Sequence, residues 1–417
     1  MKITAQFQNR TRLYLNLLAL SIIFLPFRNN ISSVIGIIIF LFFIVDKENR
    51  LIDKLKGLLV NKLAILTLSI YLIHLIGLIY TSNFKYASLD LEIKLPLFIL
   101  PLVIFSERKL SFENLNYLFK FLTIGNIIAL LICCSYSLYR FYITKSPTVL
   151  FYNEFSRFMH PSYFSLYVGF NCLYMFYKIS LLNKLEIKFK RKLTIYLIVS
   201  LLLIFGILIL SSKAGILITG LALVFFALKE LLYKKIILLI LLTFIGILVL
   251  YMNSIFHNKI QALSRFEEAK KELSTKSNYP NENSGSSNSR LEIWKSCKSI
   301  VLNNLAYGVG TGDIKDELMK QYKKVNFEYG IVNQNNCHNQ YLQFFILFGL
   351  GGGLLFLISL FYPTYISLQN NNILYLYFMF FMLTNMLVES MLESKAGVEF
   401  FALFNAILLN YVPRINK

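Results

Sequence analysis

Charge is scarce in this sequence, and negative charge most of all. Charged residues make up 15% of the chain, whereas a soluble domain carries about 25%. Asp and Glu number 22 against 42 Lys and Arg, and there are four histidines, five cysteines and one tryptophan in 417 residues. Each shortage excludes something. With so few charges and 56% hydrophobic residues, the chain cannot dress a soluble surface. No Asp-x-Asp stands on the expected outer side and no His/Cys pair sits at ligand spacing on one helix, so no metal and no cofactor is expected. "GVGTGD" (308–313) lacks the Gly-Lys-Ser/Thr ending of a nucleotide loop. Cys133, Cys134 and Cys172 fall in apolar runs, while Cys297 and Cys337 lie in a polar loop, where oxidation to a disulfide is open to them.

What the sequence has in abundance is long apolar runs. A bilayer core needs about 20 apolar residues per helix, and such runs recur from end to end. The expected architecture is an all-α polytopic membrane protein of about twelve transmembrane helices. They lie near 12–27, 31–45, 62–80, 92–106, 116–138, 161–179, 194–210, 214–228, 236–252, 339–361, 373–388 and 397–413. The fourth holds Pro96 and Pro101, which a kinked helix supported by neighbours tolerates. Residues 1–252 thus hold nine helices, 253–338 form one long loop, and 339–417 hold three helices.

Orientation follows from Lys and Arg in the short loops. With the N-terminus inside, inner segments carry 20 of them and short outer segments 8. Both termini then face the cytoplasm and the long loop faces out. The net charge of +20 needs no nucleic acid; anionic membrane lipids are its natural partners. Within the loop, 257–273 reads as an amphipathic helix, 274–289 as a polar linker, 290–304 as a second helix, and a third follows near 313–324. These pieces are too short for a core of their own and are expected to lie over the mouth of the bundle.

The span interiors are nearly free of charge apart from His74, which reads as a buried structural histidine. That argues against a transporter or flippase with a midplane carboxylate site, and no internal repeat is evident. Polar chemistry collects at the outer ends instead. His160 precedes the sixth span in "RFMHPSYFSLY", Lys213 sits in the tight turn "SSKAG", Arg290 opens the second loop helix, and His338 stands at the lip of the tenth span. Glu389, Glu393 and Glu399 surround the last outer turn. Cations at one depth suit a diphosphate, and a nearby histidine suits moving a proton. Each residue also has a plainer reading. Lys213 would snorkel, His338 and His160 would begin helices, and Arg290 would pair with Glu292 or Asp313. The glycines 349–353 read as a helix-packing face.

"SSKAG", "SRLEIWKSC", "GVGTGD" and "HNQYLQFFILFGLGGG" together resemble the O-antigen ligase and polymerase superfamily. The motif-level likeness runs from about residue 155 to 360. Its most specific piece is His338-Asn339, nine residues, Gly349, two residues, Gly352. The resemblance implies an inverting, metal-independent glycosyltransferase of the bacterial inner membrane, acting on its periplasmic face. Its donor would be a glycan on undecaprenyl diphosphate. The acceptor would be the lipid A-core for a ligase, or another glycan for a polymerase. By position, Lys213 and Arg290 would hold the diphosphate and His338 would assist the acceptor hydroxyl. His160, Tyr163, Ser212, Glu389 and Glu393 would bind substrate. Two positions depart from the pattern: Lys213 stands where the family usually has Arg, and Trp294 where ligases often have Leu. The His338 motif favours ligation over polymerisation.

Overall fold

The computed structural model describes residues 2–27, 31–46, 50–182, 187–232 and 286–412. Every helix or strand-like run among them is helical, α or 3-10, as the composition implies. Among the described residues, four helices are long and apolar enough to cross a membrane: Lys62–Tyr80, Phe112–Thr144, Phe189–Leu210 and Gln340–Gln369. Three shorter apolar helices are Ile31–Ile44, Lys213–Phe226 and Ile373–Val388. The count of about twelve spans therefore remains an expectation. The expected ninth span and the loop up to residue 285, with its helix at 257–273, lie outside the described residues.

Apolar runs close their own backbone hydrogen bonds because a hydrocarbon environment offers none. Polar caps mark where they begin. Asn61 Oδ1 accepts from Leu63 and Ala64 N–H, and Asn372 Oδ1 from Tyr375 N–H. Such caps contribute about 1 kcal/mol each. The fourth expected span is broken in two. Phe84–Lys94 ends at a turn on Leu95, and Pro96 opens Pro96–Ser106. Proline supplies no N–H for the helix before it but suits a first turn. Lys94, near the start of the expected fourth span, is fully buried at that break.

By their contacts the described residues form two compact units. The first draws on Met1–Leu25, Asn29–Leu122 and Thr275–Lys417, the second on Pro26–Arg28 and Thr123–Ser274. In the first, the helix Lys395–Leu409 is buried along almost its whole length and packs most extensively on Pro96–Ser106. Asn410 at its far end donates to the Ile104 carbonyl at 2.7 Å. In the second, Pro161–Ser180 is the buried centre and takes Phe189–Leu210 and Lys213–Leu232 against it.

Two helices follow, Ser286–Asn303, which begins four residues earlier than expected, inside the expected linker, and Ile314–Lys324 near its expected place. They pack on each other, and the first lies along Gln340–Gln369. Cys297, Cys337, Tyr322 and Phe327 are buried between the pieces. All five cysteines are free thiols, and burial pushes the Cys337 thiol well up, with the neighbouring Cys297 adding to it.

Gly349 corrects one expectation. It does not serve helix packing; it breaks Gln340–Gln369 with φ +61° and ψ −158°. The break frees the Ile346 and Leu347 carbonyls, which accept from Val309 and Gly310 N–H at 2.9 and 3.0 Å. A Cβ on Gly349 would stand 2.7 Å from the Leu305 and Ala306 carbonyl oxygens. "GVGTGD" is thus the loop that fills the kink. Gly352 does pack: a Cβ there would come within 2.6 Å of Ile73 Cδ1.

Candidate active site

Three consecutive residues dock onto the turn that follows Ile373–Val388. His338 Nδ1 lies 3.1 and 3.2 Å from the two carboxylate oxygens of Glu389. Asn339 donates from its backbone to Ser390 Oγ at 3.2 Å and from its side chain to the Leu387 carbonyl at 3.0 Å. Its Oδ1 caps the helix by accepting from Leu342 N–H. Gln340 Oε1 accepts from Leu392 N–H at 2.6 Å. The segment "HNQ" is therefore stitched to residues 387–392 at every position.

His338 has φ +43°, a left-handed backbone that non-glycine residues adopt rarely and at a cost. Asn336 Oδ1 holds it there by accepting the His338 N–H at 3.0 Å. A carboxylate facing Nδ1 favours the tautomer with the proton on that nitrogen, leaving Nε2 with a lone pair. The histidine side chain is 27% exposed, so it is reachable. Arg290 Nη2 stands 3.8 Å from Glu389 Oε2, and its side chain is 32% exposed. Neither partner suggested by the sequence takes it. Glu292 pairs with Lys295, and Asp313 accepts from the backbone of Ser82 and Asn83 at 2.7 Å.

Behind this surface lies a chain of buried charge. Lys94 Nζ donates to Glu393 at 3.0 Å and also contacts Asp90. Asp90 Oδ2 lies 3.2 Å from His74 Nδ1, whose ring packs edge-on against Phe344 and Phe348. Gln340 Nε2 reaches Glu393 at 3.5 Å. Burial pushes the Glu393 carboxyl up while Lys94 draws it back. Glu393 thus belongs to the support of the turn. Glu399 lies inside the last helix and accepts from Ser32 Oγ at 3.0 Å. Asp90, Lys94 and Gln340 were not legible as site residues, and Asn339 was visible only as the second residue of the His338 motif. An Asp and a Lys four apart beside a proline was the available signal.

The remaining candidates belong to the second unit. His160 caps Pro161–Ser180, its Nδ1 accepting from Ser162 N–H at 3.3 Å, and its ring stands edge-on to Tyr152. Tyr163 is buried in the first turn of that helix. Ser212 Oγ accepts from Gly215 N–H at 3.2 Å, Ser211 is left-handed at φ +50°, and Lys213 opens Lys213–Leu232. The turn sits close against Pro161–Ser180, since a Cβ on Gly215 would lie 2.1 Å from Ser165 Oγ. Lys213, Ser212, His160 and Tyr163 therefore share one end of this helix pair, while His338, Arg290, Glu389 and Glu393 share one end of the first unit.

No curated protein matches the chain. Residues 198–357, less than half of it, match the family model described as O-antigen ligase. The matched stretch contains Ser212, Lys213, Arg290 and His338, and leaves out His160, Tyr163, Glu389 and Glu393. The match supports placing the chain in the O-antigen ligase and polymerase superfamily, as the His338 motif implied.

Proposed function

We propose that the protein is a ligase-type glycosyltransferase. It would move a glycan from undecaprenyl diphosphate to an acceptor hydroxyl, the lipid A-core, on the periplasmic face of the inner membrane. The observation that carries this reading is the His338–Glu389 contact, with Arg290 on the same carboxylate. Glu389 holds the imidazole by Nδ1, and Nε2 takes the proton of the acceptor hydroxyl as its oxygen attacks the anomeric carbon. The bond from that carbon to the diphosphate oxygen breaks, and attack from the opposite side inverts the centre. Diphosphate is a good leaving group, so fixed positive charge suffices to stabilise it. Arg290, on the same carboxylate as His338, is assigned that charge.

A surface-glycan gel of a strain lacking the gene, beside its lipid-linked glycans, tests the assignment. Bare core with accumulated long lipid-linked polymer is expected. Core carrying a single repeat, with no long polymer anywhere, would mean repeat-unit polymerisation by the same chemistry. An unchanged profile would remove both readings from the main pathway and return lipid-linked sugar transport to consideration.

A further inference from the structure

The far end of the first unit holds a cavity of about 410 Å³. Some of the residues within 10–15, 53–57 and 105–114 contribute its walls. It lies beside Leu110, which bonds Asn410, so the length of Lys395–Leu409 separates it from the Glu393 turn. Four cations line it, Arg10, Lys54, Arg108 and Lys109, against two carboxylates, Asp53 and Glu107.

The deep part is neutralised within the protein. Arg10 grips Glu107 through both terminal nitrogens at 2.8 and 3.1 Å. Arg10 and Lys54 also share Asp46, at 2.9 and 2.6 Å. With Asp46 included, the described residues place four cations beside three carboxylates. Among the described residues no carboxylate pairs with Lys109, which is exposed at the rim.

A second observation is independent of charge. Tyr14 lines the cavity and is 3% exposed, yet its hydroxyl has no hydrogen-bond partner among the described residues. An unsatisfied buried hydroxyl is costly, and an acceptor oxygen in the cavity would recover that cost. A third concerns the neighbouring wall. Leu51–Val60 turns Lys54 inward and leaves Ile52, Leu59 and Val60 at 62%, 75% and 82% exposure. A short helix with a buried cation and a bare apolar face suits a membrane interface.

We infer that this cavity binds a phosphate group, supplied by the headgroup of an anionic phospholipid. Tyr14 donates to a phosphate oxygen, and Arg108 and Lys109 meet its charge. Acyl chains run along the exposed face of Leu51–Val60. Basic recesses between membrane helices bind anionic headgroups in this way. The inference is independent of the transferase reading.

The full chain, purified in neutral detergent, is melted with phosphatidylglycerol, with phosphatidylcholine, and with sodium phosphate. Phosphatidylglycerol is expected to raise the melting temperature, while the other two do not. The rise should at least halve in Tyr14→Phe and in the double variant Arg108→Gln/Lys109→Gln. Tyr14→Phe removes only an unpaired hydroxyl, so it reports even if the double variant fails to fold. An equal rise with phosphatidylcholine, or an undiminished rise in Tyr14→Phe, would overturn the site. A variant-sensitive rise with sodium phosphate matching that with lipid would overturn the lipid as the source.

Discussion

The two ends of the first unit solve the same problem differently. Each buries charge, and the helix Lys395–Leu409, 15 residues long and so about 22 Å by its rise, lies between them. At the Asn410 end, Arg10, Lys54, Asp46 and Glu107 neutralise one another and bind four chain segments together. At the Glu393 end, Lys94, Asp90 and Glu393 do the same, but the turn they hold also carries Glu389 against a reachable histidine. Buried pairs add little net stability, yet removing one partner strands the other. A network that only closes upon itself fixes segments. A network one residue group behind a histidine also sets where the carboxylate facing that histidine stands.

Substitutions test that contrast. The largest effect is expected at His338, where alanine should lower glycan transfer by about 10²–10⁴-fold, the usual worth of a general base, while thermal stability holds. Full transfer by His338→Ala would remove the histidine from the mechanism. Next comes Lys94→Met, which strands Asp90 and Glu393. Stability should fall by about 3–5 kcal/mol, and transfer per folded molecule should fall with it as the turn loosens. Asp46→Asn at the other end should cost a similar amount, about 3 kcal/mol, with transfer per folded molecule unchanged. Equal activity profiles for these two variants would erase the distinction between the ends. The smallest effect belongs to Asn339→Ala, which loses a helix cap worth about 1 kcal/mol. Because Asn339 also holds Ser390 and Leu387, a drop in kcat larger than the drop in stability would show that it positions His338.

Much of this was legible in the residues. Apolar runs specify helices because the backbone has no other way to satisfy itself in hydrocarbon. The loop helices over Ser286–Asn303 and Ile314–Lys324 follow from ordinary helical spacing. Pro96 was expected to kink one span, but it opens a new helix, since proline cannot continue the helix before it. His338 and Glu389 were each legible as polar residues at helix ends. The register between them was not: they are 51 residues apart, and no local rule sets which turn faces which lip. Lys94 misled because composition gives charge without depth. The sequence shows a lysine near a span end, and only packing shows that it faces two carboxylates.

The amino-acid sequence by itself determined that this is a helical membrane chain with its candidate site residues at helix ends, because hydropathy and capping act over a few residues. Only the tertiary structure decided that Gly349 breaks a helix to admit residues 305–310, that Glu389 meets His338, and that Tyr14 keeps an unpaired hydroxyl in a basic cavity. Those outcomes depend on contacts between segments distant in the chain, which local preference cannot encode.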